Sequence, residues 1–181
     1  MDDLRTELIS LLGALDGVAQ SPVYHPEGDA LFHSLQVFEC ALAGTQDPLV
    51  LAAALLHDVG KAVDGAHHEA EGAALLDGLV DQQICWLVAH HLDLLRAPER
   101  TRRKLRHDPR LSQLVLLRRF DLAGRDPHAS VRTVGWAVDK LLSVAHTSRI
   151  AHALHAGDHE PVMSVLLDDL QVTTQVKGGH G

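Results

Sequence analysis

The chain has 181 residues, 46% of them hydrophobic and 22% charged, which suits one globular domain with its own core and excludes a wholly disordered chain. Sixteen Lys and Arg against 24 Asp and Glu leave a formal charge of -8, so a dedicated DNA or anionic-membrane binder is excluded unless the basic residues are gathered in one place. Aromatics, at 3%, offer few stacking platforms for bases, whereas the 14 histidines nearly equal the Lys and Arg together and call for an explanation.

Taken in chain order, the hydrophobic spacing is helical nearly everywhere. Leu4, Leu8, Leu11, Leu12 and Leu15 recur at three- and four-residue steps and predict a first amphipathic helix, ended around Gly13, Gly17 and Pro22. A second helix is expected from Gly28 to about Ala43, with Leu31, Leu35, Phe38 and Leu42 on one stripe and Ala30, His33, Val37, Cys40 and Ala41 on the other side. A helix apolar on two faces is buried on both, which turns His33 into protein. Asp47-Pro48 supplies an N-cap and a first-turn proline. The following LVLAAALLHDVG is apolar all round and predicts a central helix broken at Gly60. Further helices are expected over His68 to Leu79, Asp81 to His91, Glu99 to Arg106, Leu111 to Ala123, Val131 to about His155, and Pro161 to Leu170, before a frayed tail over 176–181. No convincing alternating strand occurs, so the expected class is all-α, one domain over 1–175.

The two cysteines, Cys40 and Cys85, lie far apart in apolar segments and read as core residues, not a disulfide or thiolate site. The acidic start MDDLRTELIS lacks the basic n-region of a signal peptide. The longest strong apolar run, Leu49 to Leu56, falls far short of the ~20 residues that span a bilayer. A soluble cytoplasmic protein with no membrane partner is therefore expected.

The first candidate for chemistry is His57-Asp58, which follows eight apolar residues. Both groups are expensive to bury unpaired. A divalent metal satisfies them directly; in the purely structural alternative, His57 caps carbonyls and Asp58 pairs with Lys61. Asp121 shares the helical face of Leu114 and Leu117, with Arg118 three residues before it and Arg125 four after. That face offers a carboxylate to a metal and guanidiniums to an anion, or simply an Asp–Arg salt bridge. His91 follows Ile84, Leu87 and Val88 in the buried register, with His90 turned toward its edge. Inward-facing His and Asp on several helices are how helical bundles build metal sites.

The ordered set of His33 in HPEGDALFH, His57-Asp58 in AALLHDVGK, His68 in HHEAEGA, His90-His91, and Asp121 in FDLAGR resembles the HD-domain superfamily of metal-dependent phosphohydrolases, from about Tyr24 to Asp126. It is most similar to the HD domain of bacterial tRNA nucleotidyltransferases (CCA-adding enzymes). The nucleotidyltransferase head is absent here, so CCA addition is not expected. The resemblance implies an HD helical bundle in which His33, His57, Asp58 and Asp121 match the core ligands. His68, His90 and His91 match the extra ligands of binuclear members, where the Asp of the HD pair bridges two metals. His67 competes with His68 for this role, and helical phase favours His91 over His90. Lys61 matches a phosphate-holding lysine. One or two divalent ions are implied, of nickel, manganese, cobalt, iron or magnesium, with metal-activated water as nucleophile and Asp58 and Lys61 in the catalytic centre.

Between Arg96 and Arg110 lie seven basic residues against two acids, either a solvated helix face or a guide for an anionic substrate. With aromatics scarce, a nucleotide, 2′,3′-cyclic phosphate or similar small phosphoester is favoured over sequence-specific nucleic acid, and an RNA end remains in play. Two other readings stand beside it. In a di-iron oxygenase on the same fold, Tyr24 and Glu27 would match an iron-contacting tyrosine and a substrate-responsive glutamate. A module that keeps fold and metal without turnover is the other. The helices after Val131 either complete the bundle or form a homodimer face.

Overall fold

A computed structural model describes residues 2–155, with side chains described for residues 3–148. The expected helix Pro161–Leu170 and the tail 176–181 lie outside the described residues. One compact unit ends at Leu141 and a second begins at Leu142, inside a helix. Nine α-helices are described: α1 (Asp2–Gly13), α2 (Ala30–Gly44), α3 (Pro48–Leu56), α4 (His68–Leu76), α5 (Gln82–His90), α6 (Asp93–Arg96), α7 (Pro98–Lys104), α8 (Arg110–Ala123) and α9 (Val134–His155). A 3-10 turn, Val59–Ala62, joins α3 to α4. Among the described residues there is no strand, only an isolated bridge between Ala19 and Asp29, so the described fold is all-α as expected.

The centre of the first unit is α3. Asp47 Oδ1 accepts from the backbone N–H of Leu49 at 2.9 Å, Pro48 opens the first turn, and every residue from Val50 to Leu56 is buried. It packs against α2, α5 and α8. Each fully buried leucine here contributes roughly 1.5–3 kcal/mol by leaving water, and Leu55→Ala is expected to cost about 2–5 kcal/mol once the cavity it leaves is counted.

Two close backbone approaches bring the helices together around the histidines. A Cβ on Gly60 would collide with the carbonyl oxygen of His68 and the backbone nitrogen of Gly72. Glycine alone therefore lets the turn after Asp58 lie flat on α4. A Cβ on Gly124 would meet the backbone of Val37, so the end of α8 presses on α2 and carries the Gly124 carbonyl to within 2.9 Å of His33 Nδ1.

The differences from the expected elements have local causes. α2 starts at Ala30, not Gly28, because Asp29 is the N-cap, taking the Phe32 N–H on Oδ1 and the Gly17 N–H on Oδ2. α4 stops at Leu76, short of Leu79, because Asp77 turns extended and Gly78 takes φ 76°. α7 spans Pro98–Lys104 instead of Glu99–Arg106, α9 starts at Val134 rather than Val131, and α6 was not expected at all.

Candidate metal centre

Each candidate histidine is fixed by its own backbone surroundings. His57 Nδ1 faces the Ala54 carbonyl at 3.0 Å, His68 Nδ1 that of Gly65 at 2.9 Å, and His91 Nδ1 that of Val88 at 2.7 Å, all three residues earlier in the chain. His33 Nδ1 faces the carbonyl of Gly124 across the helix packing. A carbonyl only accepts, so each Nδ1 carries a proton and the neutral ring presents a lone pair at Nε2.

Those four Nε2 atoms converge on one carboxylate. His57 Nε2 lies 3.3 Å and His33 Nε2 3.9 Å from Asp58 Oδ2, while His68 Nε2 lies 3.3 Å and His91 Nε2 3.8 Å from Asp58 Oδ1. Asp121 Oδ1 adds to the first group, 3.3 Å from His33 Nε2. Two buried clusters with metal-ligating spacing result, His33/His57/Asp58 and Asp58/His68/His91, sharing Asp58.

The donor set fits divalent cations on two counts. His33 Nε2 is buried without a hydrogen-bond partner, a costly state for a polar atom. His68 Nε2 and His91 Nε2 stand 3.3 Å apart, with their Nδ1 protons already committed, so only a second proton on one ring or a shared cation satisfies both. Nitrogen and oxygen donors without thiolate suit borderline and hard divalent ions.

The charges follow the same plan. Burial opposes the charge on Asp58, but the His57 and His68 rings and Lys61 outweigh it and hold the carboxyl well below the usual range. Burial likewise opposes charge on Asp121, and His33, His57 and Arg125 hold that carboxyl far down. Burial, assisted by His57, pushes His91 down to about 4, so it is neutral at pH 7. His68 is raised despite its burial, by the Asp58 carboxylate.

Above the clusters opens a cavity of about 530 Å³, lined among others by His57, Asp58, Lys61, His68, His91 and Asp121. The size is that of a small-molecule site. Lys61 Nζ donates to Asp58 Oδ2 at 2.6 Å and to Gln20 Oε1. Arg118 Nη1 donates to Asp121 Oδ2. Arg125 gives Nη2 to Asp121 Oδ1 at 3.0 Å, Nε to the Asp121 carbonyl and Nη1 to the Tyr24 carbonyl. The Asp–Arg and Asp–Lys pairs of the purely structural alternative are thus present, and they stand at the cavity wall.

Other expected residues fall elsewhere. His67 is exposed and pairs with Asp64, while its neighbour His68 faces Asp58. His90 pairs with Asp93 and lies on the Trp86 ring, outside both clusters. Tyr24 is 68% exposed at the cavity mouth. Glu27 does not line the cavity; its carboxylate is buried behind His33. The hydrophobic pattern carries no signal for His25 and Gln20, because both lie in the non-periodic loop before α2. His25 was nonetheless readable as part of HPEGD, beside the candidates Tyr24 and Glu27. Glu69 pairs with the cavity-lining Arg96.

Comparison with known protein families matches the HD domain over residues 31–134. The chain belongs to the HD-domain family. HD domains form a superfamily of metal-dependent phosphohydrolases and bind divalent metals. The match contains His33, His57, Asp58, His68, His91 and Asp121 and begins after Tyr24, His25 and Glu27. This HD domain is similar to curated proteins named Multifunctional CCA protein. That of Hahella chejuensis is 41% identical over 78 residues, 39% of this chain and 18% of the relative. That of Halorhodospira halophila is 43% identical over 75 residues, again 39% and 18%. In Xanthomonas oryzae pv. oryzae the likeness is 32% over 151 residues, 68% of this chain and 37% of the relative. The chain spans well under half the length of these relatives. No helix among the described residues is long and apolar enough to cross a membrane.

Proposed function

We propose that this HD domain hydrolyses phosphate esters, as a phosphomonoesterase or phosphodiesterase on a nucleotide, 2′,3′-cyclic phosphate or similar small phosphoester. The observation that carries the reading is Asp58, whose two oxygens face two separate histidine clusters at the floor of a cation-lined cavity. His33, His57, Asp58 and Asp121 would hold one ion, and Asp58, His68 and His91 a second, drawn from nickel, manganese, cobalt, iron or magnesium. When bound, such ions supply Lewis acidity toward a phosphoryl oxygen and lower the pKa of water toward ~7.

The chain's own side chains do the rest. The carbonyls behind each Nδ1 hold the rings in the tautomer that presents Nε2. Lys61, on a flexible stem beside Asp58, stabilises charge developing on phosphoryl oxygens. Of the two arginines, Arg118 directs Nη1 at Asp121, whereas Arg125 commits Nε and Nη2 to Asp121 and Nη1 to the Tyr24 carbonyl; Arg118 is therefore the better placed to turn N–H groups toward an anion. Arg96 at the rim leads to exposed Arg100, Arg103 and Lys104 on α7, and the likeness to proteins named for CCA supports a nucleotide or RNA end as the ester.

The test is phosphate release from 2′,3′-cyclic nucleotides and nucleoside monophosphates by the metal-loaded chain. Turnover that disappears in Asp58→Ala with helical content kept supports the reading. Two irons per chain, with substrate-dependent oxygen uptake and no hydrolysis, would replace it with the oxygenase; tight ligand binding without any turnover would replace it with a sensor module.

A further inference from the structure

Behind the first cluster sits a carboxylate that the chemistry above does not use. The Glu27 side chain has no exposed surface; its Oε1 accepts from His25 Nδ1 at 2.8 Å and also lies 2.8 Å from His33 Nδ1, whose hydrogen bond goes to the Gly124 carbonyl, and its Oε2 has no hydrogen-bond partner. An ionisable group is not buried with an orphan oxygen without cost. The loop that carries it is held closed: the His25 N–H donates to the Ser21 carbonyl at 2.8 Å, the Gly28 N–H to the His25 carbonyl at 3.0 Å, and Gly28 takes φ 79°.

The two imidazoles that share Oε1 point to different places. His33 turns its Nε2 toward Asp58 and Asp121. His25 stands edge-on to His33, with ring centroids 4.7 Å apart, and lines the cavity. With its Nδ1 proton given to Glu27, His25 offers Nε2, the opposite ring edge, as an acceptor. We infer that Glu27 is a positioning residue for both imidazoles, joining the Gly124 carbonyl behind His33, the ligand of the first ion, and fixing His25 to accept a hydrogen bond from a hydroxyl of the bound phosphoester. A carboxylate behind a ligating imidazole fixes its orientation and raises its basicity. The inference rests on the metal-centre reading.

The experiment is a chelator-competition titration of the metal-free chain with Mn²⁺ or Co²⁺, the two binding steps being assigned with Asp121→Asn and His68→Ala. Glu27→Gln is expected to weaken the first step by about 10- to 100-fold, the usual effect of removing such a partner, and to leave the second unchanged. His25→Ala is expected to leave both steps within about twofold and to lower kcat/KM by about tenfold, the loss of one hydrogen bond. Ring ¹⁵N spectra of the unsubstituted chain give an independent check if Glu27→Gln does not fold: His25, whose Nδ1 faces Glu27 alone, is expected as the Nδ1–H tautomer, as is His33, which the Gly124 carbonyl already holds so. Unchanged affinity in Glu27→Gln, or an Nε2–H tautomer at either ring, overturns the inference and leaves the hydrolase reading standing. An unsubstituted chain that binds no ion overturns both.

Discussion

The two histidine clusters share Asp58 but neutralise its charge differently. Around Oδ2 and the neighbouring Asp121 the protein supplies its own cations, with Lys61 on Asp58 and Arg118 and Arg125 on Asp121. Around Oδ1 there are only imidazoles, and His68 is raised by the carboxylate it faces. An ion held by the first cluster would compete with Lys61 for Oδ2 and would leave that lysine for a phosphoryl oxygen, whereas an ion held by the second would compete with a proton. On the proposed reading, one carboxylate would then serve one site tied to substrate recognition and another whose occupancy would follow pH.

The largest expected effect comes from removing the shared group: Asp58→Ala loses both ions and lowers phosphoesterase activity by about 10²–10³-fold or more, the scale seen when transition-state charge stabilisation is deleted. Circular dichroism should show the helices retained. Next, Asp121→Asn weakens the first binding step and His91→Ala the second, as read by titration of each variant; equal weakening of both steps in either variant would erase the distinction between the clusters. Lys61→Ala should cost about 10- to 100-fold in kcat/KM, the range for a charge-assisted hydrogen bond, with both metal affinities kept or improved because a competitor for Oδ2 is gone. The smallest effect is on pH-dependent stability of the metal-free chain. His91, depressed to about 4, takes up its proton more readily unfolded, so stability falls as pH drops from about 6.5 toward 4. His68, raised, takes it up more readily folded, so its contribution is full below about 6.5 and is lost as pH rises through its folded value. Thermal melts should show greatest stability near pH 6.5, and His91→Ala should make the fall on the acid side shallower without abolishing it, because burial also lowers His25.

Much of this arrangement is legible in the sequence where helical register governs it. His33 on a two-faced apolar helix, His91 in phase with Ile84, Leu87 and Val88, and Asp121 in phase with Leu114 and Leu117 are all buried as their spacing implies. The choice of His68 over His67 was not readable in the same way, because α4 begins at His68 and periodicity has no purchase on its first residue. α6 was missed because a helix of four residues carries no period. His25, Glu27 and Gln20 owe their places to a loop closed by backbone hydrogen bonds and by Asp29, and such contacts leave little trace in hydrophobic pattern. The arginines beside Asp121 were readable as neighbours, but their division of donors among Asp121, its carbonyl and Tyr24 depends on how α8 meets that loop.

The most direct measurement is metal stoichiometry by elemental mass spectrometry on the untagged chain, alone and as Asp58→Ala, after reconstitution with Mn²⁺, Co²⁺ or Ni²⁺. Two ions per chain, falling to none in Asp58→Ala, are expected if the carboxylate is shared. A chain that binds no ion, or a variant that keeps both, would contradict the account.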